Sequence, residues 1–189
     1  MLPTHAELLK LINEYETRFP QELNASQTFQ EFVKRNSNTS VYSRKNFDGH
    51  FTASAFLLDV ARDKVLFLQH KKLKRWLQPG GHIDETDTSL LTAATREVCE
   101  ETGFQSINLQ LVEENIFDLD AHEIPLNPKK DEPAHIHFDV RYLFQVNNGA
   151  EVVFNAEEAS EMKWLTFDEV GKLEGFDRVI QKLEKLSWV

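Results

Sequence analysis

The chain has 189 residues with 21 lysines and arginines against 31 aspartates and glutamates, a formal net charge of −10. That balance argues against nucleic acid as the main partner, because phosphate contacts need a basic surface. Hydrophobic residues at 41%, fourteen of them phenylalanine, suffice for one domain with an appendage, and a single cysteine excludes an internal disulfide framework.

A lone cysteine fits a reducing compartment, no apolar run approaches the length of a membrane span, and the first residues lack a basic-then-apolar secretory pattern. The expectation is a cytoplasmic protein with no membrane partner. Residues 1–45 read as an N-terminal helical extension and 46–189 as the main domain. Thr4-x-x-Glu7 has the spacing of a capping box. Leu8, Leu9, Leu11, Ile12, Tyr15 and Phe19 then recur with helical period until Pro20. Ser26 is placed to cap a second helix through Phe29, Phe32 and Val33, and residues 36–40 form a polar loop. The spacing predicts a two-helix arm that packs on the domain behind it or on a second subunit, as a homodimer would require.

Beyond Asp48-Gly49, a turn signal, the pattern becomes β. Phe51 to Asp59 and Val65 to His70 read as a hairpin, with Thr52 and Ser54 giving the first strand a partly polar face. Lys71-Lys72-Leu73-Lys74-Arg75 is the densest positive run in an acidic chain. Lys72 and Arg75 are candidates to hold phosphates by charge-assisted hydrogen bonds; the other reading is a solvated loop.

The stretch from Gly80 to Phe104 organises the rest. A glycine turn leads through an acidic loop, which Asp87 or Thr88 closes as a helix cap, into a short helix with Leu91, Ala94 and Val98 as its apolar side. Its end, Arg96-Glu97-Val98-Cys99-Glu100-Glu101, puts three carboxylates on one face at i, i+3 and i+4. Gathered acids repel, and a hard divalent cation with oxygen ligands relieves that repulsion. Magnesium is expected, with manganese as a substitute. Cys99 has no base near it in sequence and reads as a packing residue.

This stretch resembles the signature of the Nudix hydrolases, G-x5-E-x7-R-E-U-x-E-E-x-G-U with U aliphatic, at Gly81, Arg96, Glu97, Val98, Glu100, Glu101 and Gly103. Phe104 takes the last position. The departure is in the loop: counting from Gly81 the early acid is Asp87, and eight residues rather than seven separate it from Arg96, so the matching position counted back from Arg96 is Thr88.

After Gly103, Leu109, Leu111 and Val112 lead to Ile116–Leu119, and residues 120–133, with three prolines, read as a long irregular loop of the kind that is often functional. Asp120, Glu123, Asp131 and Glu132 are its acids, and Glu123, beside His122, is preferred as a catalytic one. Ala134 to Val146 alternates clearly, with His135, His137, Asp139 and Arg141 on one face and Ile136, Phe138, Val140 and Tyr142 on the other. His137 and Arg141 are candidate substrate contacts, Arg141 pointing at an acid or at substrate; a His-x-His pair can also hold a transition metal given a third ligand, with His82 or His122 as candidates. A turn at Asn147-Asn148-Gly149, a short strand at 152–154, a strand at 162–165 and two closing helices complete the chain.

The resemblance implies an α/β fold, an α/β/α sandwich around a mixed sheet, with the helical extension added. It also implies hydrolysis of a phosphoanhydride bond in a nucleoside diphosphate linked to another group. Glu97, Glu100, Glu101 and the Gly81 carbonyl would hold the metal, Arg96 would orient a box carboxylate, and the partner would be a small nucleotide or other diphosphate. No family submotif that marks a substrate class follows the box. A catalytically inactive module that senses a nucleotide or binds a partner is the alternative, disfavoured because all three box glutamates are kept.

Overall fold

The computed structural model describes residues 1–36, 40–128, 131–147, 156–157 and 159–186. The expected turn at Asn147-Asn148-Gly149, the strand at 152–154 and the middle of the 36–40 loop fall wholly or partly outside them. The chain divides into two compact units, one made of Met1–Ala55, Gly80–Glu97 and Glu113–Tyr142, the other of Phe56–Pro79, Val98–Val112 and Leu143–Val189. The fold class is α/β, a mixed sheet with flanking helices preceded by a helical pair.

In the first unit, helix α1 (His5–Arg18) starts at the expected capping box: the Glu7 amide donates to Thr4 Oγ1 at 3.4 Å, and the Thr4 amide to the Glu7 carboxylate at 2.8 Å. A 3-10 turn over Pro20–Glu22 leads into α2 (Leu23–Arg35). Ser26 is therefore not a cap. The helix begins three residues ahead of it, and its hydroxyl, buried, donates to Glu16 at 2.7 Å and to the Leu23 carbonyl at 2.9 Å. Phe29 and Phe32 of α2 are buried against the sheet; Phe32 stacks on Phe138 at 3.9 Å, while Phe29 meets Phe51 edge-on at 5.7 Å. Such pairs add to area burial, and they make the helical arm part of this unit's core.

Strand β1 (His50–Leu58) is buried along its whole length. Its first part pairs antiparallel with the short β4 (Gly80–His82), Thr52 opposite His82 and Ser54 opposite Gly80. A methyl at Gly80, whose φ is +157°, would lie 2.1 Å from the Ser54 Cβ, so only glycine fits there.

Strand β6 (Asp118–Ile124) pairs residue for residue with β7 (His135–Val146), from Asp118 opposite Arg141 to Ile124 opposite His135. The irregular stretch expected from Asp120 thus begins only at Pro125. Asp120, His122 and Glu123 are strand residues whose alternation had no apolar half strong enough to show, while Asp131 and Glu132 lie beyond the strand.

In the second unit, β2 (Lys64–His70) meets the end of β1, Leu58 opposite Val65, through a turn in which Asp59 accepts from the amides of Asp63 and Lys64 at 3.0 and 3.1 Å. The short β3 (Arg75–Leu77) and the longer β8 (Ala159–Thr166) pair antiparallel with β2. β5 (Leu109–Leu111) pairs with the end of β7. A capping box at Thr166 starts α4 (Phe167–Val170), and α5 (Asp177–Lys185) buries Val179, Ile180 and Leu183. Phe176 closes on Phe67 edge-on at 5.0 Å.

Candidate active site

Helix α3 (Leu90–Thr102) carries the box. Its cap is Ser89: the Thr92 amide donates to Ser89 Oγ at 3.0 Å and the Ser89 amide to Thr92 Oγ1 at 2.8 Å. The caps expected at Asp87 or Thr88 are not used, because the helix begins one residue later and Asp87 is engaged elsewhere. The Thr88 amide donates to Thr92 Oγ1 at 3.1 Å, and Asp87 accepts from the Asp84 amide at 2.8 Å as the loop curls.

Asp87, buried, takes a fork from Arg96, with Nε at 3.2 Å from Oδ1 and Nη2 at 2.9 Å from Oδ2. Arg96 also donates through Nη1 to Glu97 Oε1 at 2.9 Å and through Nη2 to the His82 carbonyl at 2.8 Å. The longer loop is thereby accommodated, and Asp87 rather than Thr88 is the early acid that meets Arg96. The Asp87 hydrogen bonds outweigh burial and raise the Arg96 pKa, keeping the guanidinium charged.

The apolar side of α3 is Leu90, Ala93, Ala94 and Val98, not Leu91, which is half-buried. At about 100° per residue, Glu97 and Glu101 continue the Leu90–Ala94 stripe, while Glu100 stands about 100° away. They are accordingly sheltered: the Glu97 side chain is 13% exposed, Glu101 is buried, and Glu100 is open to solvent. Glu97 lies against the backbone of Gly81, where an added Cβ would sit 2.7 Å from Oε2. A held carboxylate beside a bare backbone, with two more acids on the same helix, is a set of hard oxygen donors of the kind divalent cations take.

The other candidates are placed differently. Lys72 and Arg75 belong to the second unit and are exposed, Arg75 within 3.4 Å of the Glu174 carbonyl. Glu123, preferred among the acids, sits opposite Ile136, on the other face of β6 from His122, whose ring lies 5.6 Å from His137. Of the four loop acids considered, Asp120 is the one on the polar face.

That face holds a closed ionic cluster. Arg141, expected at an acid or at substrate, is buried and donates to Asp139 at 2.9 Å, Asp118 at 3.1 Å and Asp120 at 2.8 Å. Thr52 and Ser54 complete Asp139 at 3.0 and 2.6 Å. Burial opposes the charge on Arg141, and the three aspartates outweigh it and raise its pKa. Of the two expectations for Arg141, an acid or substrate, the structure shows the first.

Five imidazoles gather where β7 begins, from His135 and His137 of β7, His122 near the end of β6, His50 at the start of β1 and His82 at the end of β4. His50 stacks on His82 at 5.1 Å and on His135 at 5.0 Å, and His137 is 4.7 Å from His50 and 5.0 Å from His82. His122 completes the group and bonds Asp120 at 2.9 Å. Burial, then the neighbouring rings, pushes His137 down to about 2; burial pushes His50 down to about 4. Sequence reasoning named four of these histidines and missed His50, which carries no local signal beyond following a Gly turn.

Comparison with known proteins gives the family. A family model described as the NUDIX domain matches residues 49–184. Over 111 residues the chain is 38% identical to a protein of Lactococcus lactis subsp. cremoris named a probable DHNTP pyrophosphohydrolase; the match covers 58% of this chain and 62% of that protein. The chain therefore spans about three fifths of that relative's length. Among solved structures, the E. coli dihydroneopterin triphosphate pyrophosphohydrolase is alike in fold, with a TM-score of 0.56 and 20% identity over 72% of this chain and 93% of its own. A C. elegans Ap4A hydrolase gives a TM-score of 0.55 and 21% identity over 71% and 93%. With a box helix whose Arg96 grips Asp87 and Glu97, and a domain match over most of its length, this chain belongs to the Nudix family.

Proposed function

We propose that the chain hydrolyses a phosphoanhydride bond in a nucleotide or a nucleotide-like triphosphate with the aid of Mg²⁺, Mn²⁺ serving as a substitute. The observation that carries this reading is Glu97, fixed by Arg96 at 2.9 Å and laid against Gly81. The name of the lactococcal relative adds a substrate class, a pterin triphosphate that loses pyrophosphate.

Glu97, Glu100 and Glu101, with the Gly81 carbonyl, would hold the cation. Their all-oxygen chemistry fits a hard ion, and the space a Cβ would fill at Gly81 is what lets the Glu97 carboxylate approach. When bound, the ion supplies charge neutralisation at the phosphoryl oxygens and acidifies water. The chain's own part is positional. Asp87 braces Arg96, Arg96 fixes the Glu97 oxygen, and the helix stripe keeps Glu97 and Glu101 out of bulk water. A box carboxylate takes the proton of the attacking water, and Glu100, the exposed one of the three, is the assignment made here.

Among the described residues no helix is long and apolar enough to cross a membrane, and a cytoplasmic setting is proposed from the single cysteine. The test is a panel of dihydroneopterin triphosphate, nucleoside triphosphates, dinucleoside polyphosphates and nucleotide sugars, following pyrophosphate and phosphate release with Mg²⁺ or Mn²⁺. Metal-dependent release from one class, abolished by Glu100→Gln, is the expected result. Tight nucleotide binding with no turnover across the panel would make the chain a sensor instead.

A further inference from the structure

We propose that His50, His135 and His137 form a second metal site, separate from the box carboxylates, that takes a zinc-like transition-metal ion on three imidazole nitrogens. The proposal is independent of the hydrolase reading. One candidate ligand nitrogen from each of the three rings lies within 4.8 Å of the others. The Nε2 atoms of His135 and His137 are 3.2 Å apart. Tetrahedral zinc with bonds of about 2.05 Å sets neighbouring nitrogens about 3.3 Å apart, so that edge is already formed. The remaining edges close by turning the half-buried His135 and His137 rings towards His50.

The outer contacts are those of metal-binding histidines. His50 lies within 3.4 Å of the Asn46 carbonyl through Nδ1, and His135 within 2.8 Å of the Pro133 carbonyl through Nδ1. Each carbonyl accepts an N–H from its ring, which fixes the tautomer and leaves Nε2 with its lone pair, the arrangement found around ligating imidazoles. His50 Nε2 is buried with no hydrogen-bond partner. A buried polar atom without a partner is costly, and an ion bound there satisfies it.

The ring set also discriminates. Nitrogen donors favour zinc, cobalt, nickel or copper, whereas the box oxygens favour magnesium or manganese. His50 opens β1 and the other two open β7, its neighbour in the sheet, so the ion would clip the starts of two adjacent strands. The His82 ring lies 5.1 Å from His50, and the His122 ring 5.6 Å from His137.

The experiment uses the full chain, stripped with a chelator and checked for fold by circular dichroism, and titrated with Co²⁺ alone. The expected result is one equivalent bound with the visible absorption of low-coordinate cobalt, displaced by Zn²⁺ and indifferent to a large excess of Mg²⁺. Zinc, but not magnesium, then raises the melting temperature. Absorption should vanish in His137→Gln and in His135→Gln, the latter a partly exposed position that spares the fold, and persist in the triple change Glu97→Gln, Glu100→Gln, Glu101→Gln. A colourless wild type, a signal that survives both histidine changes, or one lost in the triple variant would overturn the proposal, the last by placing the ion at the box.

Discussion

Two arginines in the first unit each gather acids, and they do so to opposite ends. Arg141 is 5% exposed, and each of its three nitrogens faces a different aspartate on β6 or β7. Arg96 is 27% exposed and holds two acids, Asp87 and Glu97, the second proposed as a metal ligand. The Arg141 cluster ties β6 to β7 through a guanidinium that is almost wholly out of water. The Arg96 one holds two sheltered carboxylates with a guanidinium that itself stays partly open to solvent. The same chemistry serves cohesion in one place and positioning in the other, and the degree of enclosure decides which.

The comparison breaks most visibly at the closed end. Arg141→Met leaves the buried Asp118 and Asp139, with the partly exposed Asp120 beside them, without their cation and should cost about 3–5 kcal/mol of unfolding free energy, read from urea denaturation. Unchanged stability would mean the cluster is incidental. At the open end, Glu97→Gln should lower kcat about 10²–10³-fold with the circular dichroism spectrum unaltered; a loss of structure instead would make Arg96 a second Arg141. Asp87→Asn sharpens the contrast further. It weakens the brace without touching substrate and should reduce kcat or metal affinity by about 10–100-fold, measured with a Mg²⁺ titration of the rate. Ser89→Ala removes only the helix cap and should cost about 1 kcal/mol in the urea midpoint, with kcat held.

The box helix, the hairpin of β1 and β2, the alternation of β7 and the capping box at Thr4 were legible because each is a local pattern. Helix period, turn residues and strand alternation are written within a dozen positions. What was not legible depends on partners far away in the chain. Asp118 to Ile124 form a strand because β7 offers a matching edge, not because the residues favour one. Ser26 lost its capping role to a turn that starts the helix at Leu23. Glu123 was preferred for being next to His122, although neighbours on a strand point to opposite faces. His50 joins His135 and His137 only through the pairing of strands whose sequences lie some eighty residues apart, and no spacing rule carries that.

Strand β7 has a double character. On one side Phe138 is stacked by Phe32 at 3.9 Å, and on the other the strand presents His135, His137, Asp139 and Arg141. Because side chains alternate strictly, a slip of one residue would trade the apolar side chains of one face for the polar ones of the other. Inserting or deleting a single codon within 135–142 would therefore strike packing and polar chemistry together.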